Sequence, residues 1–137
     1  MRSIQYFLLT LFLAGCTHPT FKSKWTEETA PGHFSARFET TKGIVEIEAT
    51  REWSPKAADR FYSLLKHGFY NNSSMYRVVP NYVAQFANMD KHAAKACAAD
   101  PVPDEPVIKQ NEKGAIAFAR STKETRINDM FINLKNN

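Results

Sequence analysis

The sequence predicts a single, mainly β domain, because short strand-like stretches outnumber helices in a chain of one-domain length. The chain has 137 residues, which lies within the usual size of one domain. Hydrophobic residues make up 43% of it and charged residues 23%, a composition that supports a packed core rather than disorder. Six short strands and one clear helix favour a β-barrel or sandwich over a sheet built from β-α-β units.

The first strands form a hairpin that leads into the helix. Stretches 34–40 and 45–49 alternate apolar and polar residues on either side of a glycine-containing turn, the period of half-buried strands. Ser54 and Pro55 then have the form of a helix N-terminus, and Gly68 is suited to its C-terminal cap. The spacing of the apolar residues between them predicts one buried helix face, made of Ala57, Phe61, Leu64 and Leu65.

The rest of the chain predicts four further short strands and one long loop. The strands are expected at 75–79, 82–86, 114–119 and 130–134. Residues 88–113 lack strand periodicity and contain three prolines, so we expect an ordered loop there with one helical turn across 92–99.

The first fifteen residues have the order of a bacterial secretory signal. Arg2 precedes an apolar run that is shorter than the roughly 20 residues a membrane-spanning helix needs. The ending Leu13-Ala14-Gly15-Cys16 resembles the lipobox, which implies cleavage after residue 15 and lipidation of Cys16. We expect an exported lipoprotein, anchored in a membrane through Cys16 and facing the periplasm. Thr17 stands where Asp often directs inner-membrane retention, and this favours the outer membrane.

Residues 16–33 are predicted to be the lipid-bearing cysteine and a flexible tether behind it. The stretch is rich in Thr, Ser, Lys, Glu and Pro, and its only large apolar side chains are Phe21 and Trp25. Such a composition is typical of a linker between an anchor and a domain.

Charge and chemistry-bearing side chains exclude several classes of function. The formal net charge is +4, and 18 basic residues are interspersed with 14 acidic ones, so no basic stripe for nucleic acid is formed. Once Cys16 carries lipid, Cys97 has no disulfide partner, and we interpret it as a small packing residue. The four histidines have no Ser, Cys or carboxylate spaced to act with them, so we expect no metal site, no nucleophilic triad and no cofactor.

One stretch of the chain carries a family pattern. Residues 69–85 read FYNNSSMYRVVPNYVAQ and resemble the cyclophilin signature. In that signature a helix ending in Gly-Phe-Tyr leads to an aromatic-x-Arg-Val-x-Pro strand, and then to an aromatic, an aliphatic, one residue and Gln. Three further segments resemble the same family in the same order: the hairpin around Gly43, Pro103-Asp104-Glu105, and 114–120 followed by 130–134.

The resemblance implies a peptidyl-prolyl cis-trans isomerase domain over 34–137. Its expected fold is a closed antiparallel β-barrel capped by helices, and the chain is expected to lack the C-terminal strands of that barrel. The implied function is acceleration of X-Pro isomerisation in exported proteins while they fold. Its partners would be proline-containing polypeptides and, through Cys16, a membrane.

The same resemblance assigns site residues. Arg77 matches the catalytic arginine, whose hydrogen bond to the prolyl nitrogen would favour the twisted amide. The matched substrate-binding residues are Tyr82, Val83 and Phe131 in the proline pocket, Gln85 on the substrate backbone, and Ala119 and Arg120 in the strand that pairs with the peptide. Phe118 is interpreted as a core residue instead.

Two departures from the family pattern keep other functions open. Phe86-Ala87 stands where the family usually has two glycines, and Asp129 stands where it has Gln. They favour the alternative of a cyclophilin-like lipoprotein that binds proline-containing peptides or partner proteins with little or no catalysis. A truncated product without activity is a third possibility, and it follows from the ending at Asn137 alone.

Overall fold

The computed structural model describes residues 19–137, so the predicted signal peptide and Cys16 lie outside the described residues. The described part is mainly β, as the sequence predicts, and it contains two α-helices where one was expected. The strands are β1 (His33–Thr40), β2 (Gly43–Thr50), β3 (Ser74–Val79), β4 (Val83–Ala87), β5 (Ile116–Phe118) and β6 (Met130–Asn133). The helices are α1 (Pro55–Lys66) and α2 (Lys91–Ala98), and two short 3₁₀ turns cover Ser23–Glu27 and Arg51–Trp53.

The strands pair as two antiparallel sheets. β1 and β2 form the predicted hairpin, and β3, β4, β6 and β5 form a four-stranded sheet in that order. Gly43 makes the hairpin turn at a φ of 128°, which side chains rarely tolerate. The pairings found within residues 19–137 do not join the two sheets, so closure into a single barrel is not seen in this part of the chain.

An aromatic cluster fills the space between the sheets and α1. Phe38 of the hairpin lies 5.6 Å from Phe86 of β4, measured between ring centroids, and Tyr70 lies 5.4 Å from Phe86. Phe61 of α1 packs on the same group. Such pairs contribute about 0.5–1.5 kcal/mol each beyond the area they bury. Because Phe86 belongs to this core, its large side chain points away from the surface.

Helix α1 begins and ends where the sequence predicts, but its N-terminal cap differs. The Ser54 hydroxyl does not cap the helix and instead donates to the Glu105 carboxylate at 2.6 Å. Glu105 accepts the backbone N–H groups of Lys56 and Ala57 at 2.7 and 3.1 Å. A carboxylate suits the positive end of the helix dipole. The N-terminal cap of α1 is therefore Glu105 of the long loop, and these hydrogen bonds hold the loop against the helix.

The described part of the predicted tether is folded onto the domain, which corrects that prediction. Phe21 and Trp25 are each only 5% exposed. Trp25 stacks on His67 at the end of α1, with ring centroids 4.0 Å apart, and the Arg60 guanidinium lies 4.8 Å from the centre of the Phe21 ring. Burying an aromatic side chain of this size contributes about 1.5–3 kcal/mol. Two large apolar side chains are therefore enough to hold an otherwise polar stretch against the helix.

Two carboxylates fasten this segment further. Glu28 lies 2.7 Å from His67 Nε2 and 3.4 Å from Lys66 Nζ. The hydrogen bond with His67 is the main reason that the pKa of Glu28 is lowered. Asp59 accepts the Ala30 N–H at 2.8 Å. We call the stretch from residue 19 to residue 32 the N-terminal strap.

The long loop contains a helix where the sequence predicts a single turn. Helix α2 is capped by Asp90, whose side chain accepts the Ala93 N–H at 2.8 Å. Cys97 lies on its inner face with no exposed surface, and burial raises the pKa of its thiol to about 11. Its interpretation as a packing residue is confirmed. No helix between residues 19 and 137 is long and apolar enough to cross a membrane.

Candidate active site

A cavity of about 600 Å³ lies over the four-stranded sheet and is closed on one side by the long loop. Its volume is typical of sites that bind small molecules or short peptide segments. All seven residues that the resemblance assigns to the site line it: Arg77, Tyr82, Val83, Gln85, Ala119, Arg120 and Phe131. The structure therefore brings together a set that spans 55 positions of sequence from Arg77 to Phe131.

The centre of the site is a row of side chains that crosses the whole sheet. Arg77 of β3 pairs with Gln85 of β4, Gln85 pairs with Phe131 of β6, and Phe131 pairs with Ala117 of β5. Directly paired residues of an antiparallel sheet lie on the same face. The register of three strand pairs thus places a cation, an amide, an aromatic ring and a methyl group side by side.

Arg77 and Gln85 contact each other directly within this row. Arg77 Nη1 donates a hydrogen bond to Gln85 Oε1. The Arg77 side chain is exposed, so its remaining N–H groups stay accessible to a ligand in the cavity. Gln85 therefore orients the guanidinium without enclosing it.

Apolar surface lies beside this polar pair. Val83 is two residues before Gln85 on the same face of β4 and is only 5% exposed, and Phe131 is half-buried. Tyr82, at 44% exposed, stands at the rim in the turn before β4, where Asn81 adopts a φ of 56°. Phe118 also borders the cavity, but at 7% exposed it belongs to the core cluster, as predicted. The apolar slot is thus formed by Val83 and Phe131 with Tyr82 above them.

Strand β5 forms the outer edge of the sheet next to the cavity. The Ala119 N–H donates to the Asp129 carbonyl at 2.8 Å, so it is used inside the sheet. The other side of β5 faces away from β6, because β5 is the last strand in the order. An edge of this kind can pair with an extended peptide.

Two acidic residues of the long loop, Asp104 and Glu105, and Arg126 complete the rim, and sequence reasoning assigned none of these three a role. Arg120 Nη1 lies 2.6 Å from Asp104 Oδ2, and Arg126 Nη2 lies 3.3 Å from Glu105 Oε2. Burial raises the pKa of Glu105, but hydrogen bonds from Ser54 and from the Lys56 and Ala57 N–H groups outweigh it and leave the pKa lowered. Pro103-Asp104-Glu105 was recognised only as a family-like segment, and nothing in the local sequence indicates the Arg126 pairings.

The two departures from the family pattern lie outside the cavity lining. Phe86 is 4% exposed and belongs to the aromatic core. The Asp129 carboxylate accepts a hydrogen bond from the Tyr76 hydroxyl at 2.8 Å. The carboxylate that stands here in place of the family's Gln is therefore hydrogen-bonded to a tyrosine. Among residues 19–137, no group of three or more His, Cys, Asp and Glu side chains could hold a metal ion.

A sheet face with an oriented arginine, a neighbouring apolar slot and an edge strand beside the cavity defines a domain suited to binding an extended peptide. The chain belongs to the cyclophilin-type peptidyl-prolyl cis-trans isomerase family, whose model matches residues 35–137. The family resemblance seen in the sequence is thereby confirmed.

Curated relatives agree with this assignment. The chain is 31% identical over 100 residues to a peptidyl-prolyl cis-trans isomerase of Acinetobacter baylyi, and 27% identical over 100 residues to peptidyl-prolyl cis-trans isomerase A of Dickeya dadantii. Each match covers 72% of this chain and 53% of the relative. It is 28% identical to peptidyl-prolyl cis-trans isomerase-like 1 of Aspergillus fumigatus, covering 71% of this chain and 63% of that protein. The chain thus spans between half and two thirds of the length of these relatives.

Solved structures support the same fold. A cyclophilin-type peptidyl-prolyl cis-trans isomerase of Cryptosporidium parvum superposes with a TM-score of 0.67 at 18% identity, over 77% of this chain and 69% of that one. The cyclophilin AquaCyp293 of Hirschia baltica gives 0.56 at 15% identity, over 87% and 66%. At these identities the likeness concerns the fold alone, and it confirms the mainly β, cyclophilin-like fold class.

Proposed function

We propose that this protein is a peptidyl-prolyl cis-trans isomerase that acts on X-Pro segments of exported polypeptides. The observation that carries the proposal is the Arg77–Gln85 contact at the floor of a cavity with an apolar slot beside it. Membership of the cyclophilin family supports it as well.

The chemistry requires only a hydrogen bond donor and a slot for the proline ring. Rotation of a peptide bond is slow because the nitrogen lone pair is delocalised into the carbonyl, with a barrier of about 18–20 kcal/mol. When the bond twists, the lone pair localises on nitrogen and becomes an acceptor. A guanidinium N–H of Arg77 aimed at that nitrogen stabilises the twisted state more than either planar one. Arginine keeps its charge at physiological pH, so no general acid, base or cofactor is needed.

Substitution of Arg77 tests the proposal. We expect Arg77→Ala in the full-length protein to lower kcat/KM for an X-Pro peptide by about 100-fold to 1,000-fold, the usual loss when a transition-state donor is removed. Arg37→Ala is the matched control, because Arg37 is an exposed arginine of β1 with only long surface ion pairs. Unchanged isomerisation by Arg77→Ala, with an intact thermal transition, would refute the role of this residue.

The alternative of a peptide-binding protein without catalysis rested on Phe86-Ala87 and Asp129. Phe86 lies in the core and the Asp129 carboxylate is bound by Tyr76, so neither alters the lining of the cavity. Catalysis is therefore the better supported function. Calorimetric binding of a proline-containing peptide without any measurable isomerisation by the wild-type protein would favour the alternative instead.

We further propose that Cys16 is lipidated and holds the domain at the outer membrane, facing the periplasm. The lipobox-like residues that end at Cys16 support this location. Because the strap is docked from Phe21 onwards, only four residues would separate the anchor from the folded domain. The five residue steps from Cys16 to Phe21 span at most about 18 Å when extended.

Cell fractionation tests the anchor. We expect wild-type protein in the membrane fraction and Cys16→Ser in the soluble fraction, with density separation of the two membranes showing which one is used. Cys97→Ser is the matched control, because Cys97 is buried inside the domain. A Cys16→Ser protein that stays membrane-bound would contradict lipid anchoring.

A further inference from the structure

The direction of the Arg77 side chain depends on a β-bulge in strand β3. Pairing between β3 and β4 runs from Ser74 opposite Ala87 to Met75 opposite Phe86, and then directly to Arg77 opposite Gln85. Tyr76 is therefore an extra residue on β3, and the register shifts by one at this point. A bulge of this kind re-aims the side chains that follow it.

A regular ladder would put Arg77 on the wrong face. Without the extra residue, Tyr76 would pair with Gln85 and Arg77 would pair with Ala84. Successive residues of a strand point to opposite faces, and a slip of one residue moves each side chain to the other face. Arg77 would then point away from Gln85 and the cavity. The bulge is thus what makes the catalytic arrangement possible.

The side chain of the bulged residue, Tyr76, is hydrogen-bonded to the residue that precedes β6, which is two strands away from β3 in the sheet. The Tyr76 hydroxyl donates to Asp129 Oδ1 at 2.8 Å. Asp129 immediately precedes β6, and its backbone carbonyl accepts the Ala119 N–H at 2.8 Å. Burial, together with this hydrogen bond, raises the pKa of Tyr76 to about 12, so the phenol stays neutral and keeps its proton for donation at physiological pH. The bond therefore links β3 to the junction of β5 and β6.

We propose that Tyr76 and Asp129 form a positioning pair that holds the bulge in place and thereby keeps Arg77 on the face of the cavity. Neither residue is among those that line the cavity, so they act through Arg77 rather than on the substrate. This rests on the proposed isomerase activity. It also gives a role to Asp129, a residue that departs from the family pattern.

Three substitutions separate the hydrogen bond from the bulk of the side chains. Tyr76→Phe removes the donor and keeps the ring, Asp129→Ala removes the acceptor, and Asp129→Asn keeps an acceptor oxygen. Because one hydrogen bond contributes about 0.5–1.5 kcal/mol net, we expect the first two to lower kcat by about twofold to tenfold with KM nearly unchanged. Asp129→Asn should remain close to wild type. The double variant Tyr76→Phe/Asp129→Ala should be no slower than the slower single variant, because each change alone already removes the same hydrogen bond.

NMR of the full-length protein gives a second readout that does not need activity. In the wild type we expect cross-strand contacts between the backbones of Arg77 and Gln85, and in Tyr76→Phe we expect these signals to broaden or a second set, from Arg77 opposite Ala84, to appear. Tyr62→Phe on α1 is the control and should change neither the rate nor the register.

The outcomes distinguish the two proposals. Wild-type protein without isomerase activity would contradict the proposed function, yet a disturbed Arg77–Gln85 register in Tyr76→Phe would still support the positioning pair. Unchanged register in both Tyr76→Phe and Asp129→Ala would overturn the pair, whatever the activity. An equal loss in Asp129→Asn and Asp129→Ala would also overturn it, because the acceptor oxygen would then be irrelevant.

Discussion

Single residues of the site act through their neighbours as much as through their own chemistry. An arginine on a strand has several rotamers of similar energy, and fixing it in one of them costs side-chain entropy. Gln85 reduces that cost before any ligand binds, because its amide oxygen already accepts a hydrogen bond from Arg77. The site is thus preorganised by an uncharged residue that leaves the guanidinium charge free to act.

Loss of this contact should weaken catalysis without abolishing it. We expect Gln85→Ala to lower kcat/KM by about tenfold, because the net value of one hydrogen bond to a charged group is about 1.5 kcal/mol. The loss should be smaller than that of Arg77→Ala, since the donor itself remains. Isomerisation of an X-Pro peptide measured by NMR exchange provides the comparison. A Gln85→Ala enzyme as slow as Arg77→Ala would show that Gln85 has a role beyond orientation.

At the scale of elements, the N-terminal strap is held to α1 by groups that titrate in acid. The pKa of Glu28 is lowered chiefly by its hydrogen bond with His67. For Asp59, burial raises the pKa, and the bonds from Arg51 and the Ala30 N–H outweigh this and leave it lowered. A carboxyl group with a lowered folded-state pKa stabilises the fold above its unfolded pKa, and this contribution is lost as the pH falls through the folded value.

The strap should therefore loosen in acid. Taking the ordinary pKa values of 4.5 for Glu28 and 3.8 for Asp59 as those of the unfolded chain, the stabilisation that these two carboxyl groups provide should be lost as the pH falls below about 4.5. Trp25 fluorescence during acid titration reports the release, because its ring leaves the His67 stack. Glu28→Gln should reduce the pH dependence, whereas Glu27→Gln, at an exposed neighbouring position, should not. Identical titration curves for all three proteins would contradict a role for Glu28.

The strands and helix α1 were predictable from the sequence, whereas helix α2 was expected only as a single turn and the long-range tertiary contacts were not predicted. The hairpin and β3 to β6 follow from alternation that is visible within a few residues, and α1 from its apolar spacing. The cap on α1 comes from Glu105, about 50 positions away, and the strap docks on His67, about 40 positions away. No local pattern encodes either contact. In the site, the family pattern identified Arg77 and Gln85, but the bulge that brings them together arises from the pairing of whole strands.

At the scale of the whole molecule, the folded unit extends upstream of the part that the family model matches. The match to the family begins at residue 35, whereas Phe21 and Trp25 already belong to the hydrophobic core. Without the strap, the α1 surface beneath these rings would be exposed to solvent. An exposed apolar surface of this kind favours association and lowers stability.

The strap should therefore be required for a stable, monomeric domain. We expect a protein that begins at residue 34 to unfold at lower urea concentration, and to associate more readily, than one that begins at residue 19. Trp25→Ala within the longer protein should cost about 3 kcal/mol of unfolding free energy, as for other buried aromatic residues. Trp53→Ala is the matched control, because Trp53 is 46% exposed and should change stability little. Urea denaturation and light scattering measure both effects, and equal stability of the two truncations would show that the strap is dispensable.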